Sequence, residues 1–260
     1  MSHEAVNRNT YELEKTVSLY TDGPIQLAEL RILIRYKEAY WGKRLLDIGC
    51  GGGRTTEFLM HCTDDYLAID YSKHMVECCR QRFPDARCLE CDVRDMSRFD
   101  DASFDCVVFS NNGLDSLGHE DRLAALREIN RVVVDGGLFV FSTHNRNYAH
   151  AITRPRLEFS WDPMQQAREI FRFFKHLRNH HRNRRFEQFN DDYWILNDRA
   201  HSYQLLTYYI EQTAQVEQLT QLGFEALGIY GSRGELLPLD GADRSSSWLY
   251  YVARKVGPPA

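Results

Sequence analysis

The chain has 260 residues, 43% of them hydrophobic, which suits one large domain, or a domain with a sizeable insertion, around a buried core. Its formal net charge of −5 supplies no global attraction to nucleic acid or to an anionic membrane, so either partner would need a local basic patch. No stretch approaches the roughly 18 apolar residues of a membrane span, and "MSHEAVNRNTYELEK" at the start has no apolar leader core. All seven cysteines fall between positions 50 and 106, mixed into apolar runs, so a soluble cytoplasmic protein with reduced thiols is expected.

Residues 1–42 read as two helical stretches broken by "TDGP", a cap over a sheet or over its ligand, with Tyr11 and Tyr20 as candidates to close on a bound molecule. From position 43 short runs rich in β-branched and aromatic residues follow one another: "RLLDIG", "DYLAID", "RCLECD", "FDCVVFSN" and "GLFVFSTHN". Helical spacing lies between them, over 72–83 and over 119–134, where Leu123, Leu126, Ile129 and Val133 form a stripe that Gly136 and Gly137 end. This alternation predicts an α/β fold, a doubly wound parallel sheet with helices on both faces.

Residues 146–202 are too long for a structureless connection and are expected to carry elements of their own. Asp162 followed by Pro163 predicts a helix start, and Ile170, Phe173, Phe174 and Leu177 mark an apolar face. The insertion leaves the C-terminal end of a strand, the ligand side of such sheets, and reads as a helical lid or substrate roof. Arg168, Arg172, Lys175, Arg178, Arg182, Arg184 and Arg185 make it basic: a solvated outer face, or a grip on an anionic substrate or RNA. A helix near Val216 precedes two strands, "FEALGIYG" and "SWLYYVARK", which lack a crossover helix between them and so should pair antiparallel.

"RLLDIGCGGGRTTEF" joins the first strand to a helix through a glycine-rich turn that lets backbone approach a ligand. No Gly-Lys-Ser/Thr follows, which excludes a Walker A loop, and Arg54 stands where a dinucleotide fingerprint needs its third glycine. The run "LLDIGCGGG", then "AIDYS", "ECDVRDM", "FDCVVFSNNGLDSL" and "REINRVVVDGGLFVFST" resembles, station by station, the class I S-adenosylmethionine-dependent methyltransferases. The resemblance covers 43–145 and, more loosely, 203–260, leaving 146–202 as the insertion. It implies seven strands in the order 3-2-1-4-5-7-6, the last antiparallel, with S-adenosylmethionine as cofactor, S-adenosylhomocysteine as product and no metal. It assigns Asp47, Gly49, Cys50, Gly51 and Gly53 to the cofactor loop, Asp70 to the ribose hydroxyls with Tyr71 beside it, and Asp92 and Val93 to the adenine. Ser110 and Asn111 would pass under the methionine part, and Met75 is a core position able to border the adenine. Cys88 and Cys91 form a C-x-x-C inside a strand, whose alternation complicates a shared metal face.

Methyl transfer from an activated sulfonium needs alignment, and a base only where the acceptor must lose a proton. His144, at the end of the fifth strand, is the candidate base; Asn112 and Asn145 could orient an acceptor, and Tyr208 and Tyr209 could line its pocket. The fourth strand carries neither an Asn-Pro-Pro-Tyr-type motif nor a Pro-Cys pair, which argues against exocyclic adenine amines, glutamine amides and cytosine C5. The expectation is a small-molecule O- or N-methyltransferase without a nucleic-acid or membrane partner. The alternatives are an RNA methyltransferase using the Arg-rich helix and a non-catalytic S-adenosylmethionine-binding protein, with a nicotinamide oxidoreductase as a remote further one.

Overall fold

The computed structural model describes residues 6–7, 23–148 and 154–257. Helices α1 (Leu27–Arg35) and α2 (Lys37–Tyr40) lead into β1 (Leu45–Ile48), α3 (Thr56–Leu59), β2 (Tyr66–Asp70), α4 (Lys73–Arg82), β3 (Arg87–Glu90), β4 (Phe104–Phe109), α5 (His119–Val132) and β5 (Val133–Asn145). There follow α6 (Pro163–Asn183), β6 (Gln188–Phe189), β7 (Tyr193–Leu196), β8 (Thr207–Ile210), α7 (Gln212–Gln221), β9 (Phe224–Tyr230), β10 (Leu236–Leu237) and β11 (Trp248–Lys255).

The first five strands lie parallel in the order β3-β2-β1-β4-β5, and β11 pairs antiparallel with both β5 and β9. Those seven strands reproduce the expected order, with the last one reversed. Four short strands extend the sheet: β10 at the β9 edge, and β6, β7 and β8, of which β8 joins the end of β5 in parallel at His144 and Asn145.

β1 and β2 are buried throughout, as central parallel strands with both faces covered must be. Alternate residues feed two cores. Leu46, Ile69, Val107 and Phe139 pack with Leu126 and Ile129 of α5 and Leu219 of α7, while Leu45, Ala68, Cys106 and Val108 pack with Ile32 of α1 and Val76 of α4.

Local signals acted where expected at two helix starts. The Ser72 side chain accepts the Met75 N–H at the start of α4, and Asp162 Oδ1 accepts from Met164 N at 2.8 Å ahead of Pro163 in α6. At the end of α5 the expectation of a glycine stop fails. Val133 is already extended and paired with Phe104, and Gly136 and Gly137 sit inside β5 where the register slips. A Cβ at Gly137 would come 2.9 Å from the Asp105 carbonyl oxygen, so close strand approach is what requires that glycine.

The insertion departs further. It ends in a 3-10 turn (Ala200–Tyr203), beyond which Thr207–Ile210 forms β8. Helix α6 docks through a polar stripe: Asn179 Nδ2 donates to Ser202 O (2.9 Å), Asn183 Nδ2 to Tyr203 O (3.0 Å), and His180 Nδ1 lies 3.0 Å from Asn197 Oδ1. The apolar face expected to point inward instead leaves Ile170, Phe174 and Leu177 exposed, with Phe173 half-buried. Amide side chains able to satisfy the open carbonyls of the turn determined the docking side. Among the described residues no helix is long and apolar enough to cross a membrane.

Candidate active site

The turn from β1 to α3 crosses the C-terminal edge of the sheet, with Gly49, Gly51 and Gly53 at φ of +64°, +54° and +92°. Beside it opens a cleft lined by Gly49, Gly51, Asp70, Tyr71, Met75, Asp92, Val93, Ser110 and Asn111, all of them expected there. Asp70, at the end of β2, holds the turn from outside: Oδ2 accepts Gly51 N–H (3.0 Å) and Oδ1 accepts Ser72 N–H (2.8 Å). Burial pushes its carboxyl up to about 6, and those two N–H groups partly offset the shift. Each oxygen keeps lone-pair capacity toward the cleft, the chemistry a vicinal diol requires. Asp92 reaches the cleft already engaged by Arg94, whose Nη2 is 2.7 Å from Oδ2.

Several expected contacts are braces beneath the site. Asp47 is buried, and its Oδ2 accepts from Thr55 Oγ1 (2.7 Å) and Tyr66 OH (2.8 Å), while Oδ1 has no hydrogen-bond partner among the described residues. Burial pushes this carboxyl up to about 7, against those two hydroxyl donors. It supports the loop from below and does not line the cleft. Cys50 packs behind the turn in the core that holds Cys79 and Cys88. Gly53 also faces inward, where a Cβ would lie 2.6 Å from Phe83 Cε2. Cys88 Sγ lies 3.1 Å from Cys79 Sγ while Cys91 borders the cleft, so the C-x-x-C pair does not converge.

The expected acceptor residues divide in the same way. Asn145 is buried and donates both amide hydrogens, to Asp243 O (2.7 Å) and Ser246 O (3.0 Å), because it ties β5 to the loop before β11. Tyr208 and Tyr209 are both buried, since β8 is covered on both faces: the Tyr208 hydroxyl lies 2.8 Å from His119 Nδ1, and the Tyr209 hydroxyl donates to Asp198 Oδ2 (2.6 Å). Asn112, at φ +58°, donates its N–H to Ser142 Oγ (2.8 Å). Tyr11 and Tyr20 lie outside the described residues.

His144 stands in a network that the sequence reading missed. Its Nδ1 is 2.7 Å from Asp115 Oδ2, and Asp115 belongs to the 3-10 turn Gly113–Ser116, whose Gly113 and Ser116 line the cleft. Behind Asp115 is Arg122, fully buried within α5, with Nη1 2.7 Å from Oδ1. A charged residue one turn from Leu126 on the buried stripe was the available signal. Arg54 pairs bidentately with Glu29 of α1 (2.7 Å each) and donates to Ser110 Oγ (2.7 Å), a cleft residue that also meets Glu29. The position that departs from the dinucleotide fingerprint therefore joins the N-terminal helix to the cleft rim. Asn7 lines the cleft as well, with Nδ2 donating to Ser116 O and Leu206 O at 2.8 Å. No group of three or more His, Cys, Asp or Glu placed to hold a metal ion occurs among the described residues.

Residues 46–141 match the family model described as "Methyltransferase domain". The ubiquinone biosynthesis O-methyltransferase of Alkalilimnicola ehrlichii is 32% identical over 111 residues, 41% of this chain and 43% of that protein. The malonyl-[acyl-carrier protein] O-methyltransferase of Halorhodospira halophila is 30% identical over 135 residues, 50% of this chain and 43% of that protein. The matched region thus spans less than half the length of either relative. Among solved structures, the Burkholderia thailandensis 1,6-didemethyltoxoflavin-N1-methyltransferase, bound to 1,6-didemethyltoxoflavin and S-adenosylhomocysteine, superposes with a TM-score of 0.61 at 16% identity, covering 98% of this chain and 88% of that one, a likeness of fold. Sheet order, glycine turn and family match together establish that this chain carries a class I S-adenosylmethionine-dependent methyltransferase domain.

Proposed function

We propose that the protein transfers the methyl group of S-adenosylmethionine to an oxygen or nitrogen of a small-molecule acceptor. The observation that carries this reading is Asp70, a buried carboxylate that braces the glycine turn and still faces the cleft with unused lone pairs. It would accept the ribose hydroxyls, with Met75, Val93 and Leu117 around the adenine and Ser110 and Asn111 toward the methionine end. The relatives named as O-methyltransferases and the N1-methyltransferase of like fold support a small acceptor.

When bound, the cofactor supplies a methyl group already activated on sulfonium sulfur. What the chain adds is alignment and, for an acceptor that must ionise, a place for its proton. His144 is assigned that proton. Asp115, paired with Arg122, would accept from Nδ1–H and leave the Nε2 lone pair of His144 to take the proton. Residues 43–145 and 203–260 form the cofactor-binding core in this reading, and residues 1–42 cap it. The 146–202 insertion selects the acceptor from the β7–β8 side, where Tyr193 stacks on His119 at 4.2 Å.

Calorimetric titration with S-adenosylmethionine, S-adenosylhomocysteine and NADH tests the reading. Binding of the first two alone, weakened roughly a hundredfold or more by Asp70→Asn through loss of charge-assisted hydrogen bonds, is expected. Equal affinity in that variant would overturn the assignment of Asp70, and binding of NADH alone would overturn the reading.

A further inference from the structure

Helix α6 leaves exposed the side that an amphipathic helix ordinarily buries. Phe171 is 75% and Phe174 61% exposed, Met164 and Leu177 point outward with them, and Phe159 and Trp161, the latter 91% exposed, stand just before the helix. At about 100° per residue the four helical side chains form one continuous strip. The opposite side, Glu169, His176, Asn179 and Asn183, is the polar seam that docks on the protein. Along the border of the strip run Arg168, Arg172 and Lys175, which share a shallow groove with Met164 and Phe171. Arg172 also lies 3.0 Å from Glu169.

We propose that this face of α6 docks on an anionic lipid surface, its aromatic and aliphatic side chains entering the boundary between headgroups and acyl chains while the basic border meets lipid phosphates. The pairing of features selects this occupant. A second copy meeting the same face about a two-fold axis would bring two basic borders together. A nucleic acid would use the arginines and leave the phenylalanine strip in water. A lipid interface accommodates both at once. Trp161 and Phe159, in edge-to-face contact with ring centroids 5.0 Å apart, suit the headgroup level. The helix has 21 residues, about 30 Å of contact line. The net charge of −5 opposes membrane binding by the chain as a whole, yet α6 presents a local basic border to the bilayer. The proposal concerns peripheral docking and stands independently of the methyl-transfer reading.

Sedimentation of the full chain with vesicles of phosphatidylcholine, and of phosphatidylcholine mixed with phosphatidylglycerol, tests it. Binding to the mixed vesicles that falls as salt rises is expected, with little on the neutral ones. The double substitution Phe171→Ser, Phe174→Ser should lower partitioning at least tenfold, and Arg168→Gln with Lys175→Gln about tenfold on anionic vesicles. None of these four side chains lines the cleft, so unchanged S-adenosylmethionine binding or unchanged thermal unfolding shows that the variants are folded. Absence of vesicle binding at low salt would overturn the proposal, as would vesicle binding that survives loss of both phenylalanines. Formation of a dimer or an RNA complex through α6 in place of vesicle binding would overturn it too.

Discussion

One oxygen of Asp115 receives two hydrogen bonds from the same neighbour: Oδ2 lies 2.7 Å from His144 Nδ1 and 2.7 Å from the His144 backbone nitrogen. Backbone and ring are thereby fixed together on one carboxyl oxygen. If His144 is the base, His144→Asn should lower turnover of an ionisable acceptor by about 10²–10⁴ while leaving S-adenosylmethionine affinity unchanged. Asp115→Asn should slow turnover, because an amide at that place no longer offers two carboxylate oxygens to the His144 ring and backbone and to Arg122. Full activity of His144→Asn across neutral pH would leave the ring a structural role only.

The second Asp115 oxygen is held by Arg122 Nη1 (2.7 Å) and Thr143 Oγ1 (2.6 Å); Arg122 also donates to Gln215 Oε1 (2.7 Å), Thr143 Oγ1 (3.1 Å) and Gln218 Oε1 (3.3 Å), with its guanidinium 4.5 Å from the Tyr208 ring centroid. Arg122→Ala strands a buried carboxylate and should cost about 3–5 kcal/mol in denaturant unfolding. Arg122→Lys should recover only part, because an ammonium cannot serve the forked partners. A loss below about 1 kcal/mol for the alanine variant would contradict this account.

Gly53 combines a φ of +92° with a site where a Cβ would stand 2.6 Å from Phe83 Cε2 and 3.2 Å from Cys79 Sγ. Gly53→Ala should therefore lower stability by about 1–3 kcal/mol. Adding Phe83→Leu should recover the steric part and leave the backbone part, which a double-mutant cycle would read as coupling. Strict additivity would show that the ring does not impose the glycine.

Two buried carboxyls make stability and cofactor affinity respond oppositely to pH. Asp47 and Asp70 are pushed up to about 7 and about 6 by burial, above the unfolded value of 3.8, so the folded state binds the extra protons. Stability of the free protein should fall as pH rises from about 4 to about 7, where the unfolded chain has already lost those protons. If ribose hydroxyls donate to the charged form of Asp70, as proposed, affinity for S-adenosylmethionine should rise through about 6. Asp47→Asn should flatten the upper part of the stability profile and spare binding. Thermal melts and calorimetry across that range check both signs, and stability that rises with pH over the window would contradict the burial argument.

What was legible in the sequence is what neighbours in the chain determine. Burial of both faces makes "LLDI" and "YLAID" continuous apolar strands, Ser72 and Asp162 cap helices through N–H groups two or three residues on, and the glycines of the first turn carry the positive φ that turn demands. With the spacing of the later stations, those local features place Asp70, Val93 and Ser110 at one edge of the sheet. The partners of the remaining groups are set across the fold. Arg54 finds Glu29 25 residues away, Arg122 finds Gln215 93 residues away, and Asn7 finds Leu206 199 residues away. Asn145, Tyr208 and Tyr209 look like pocket residues in a linear reading, and tertiary packing buried them instead; the phenylalanines of α6 look like core, and it left them outside. A side chain's type states what it can bond to. Only the folded path of the chain decides which buried donor or carbonyl stands within reach, and leaving such a group buried and unpaired costs about 1–3 kcal/mol.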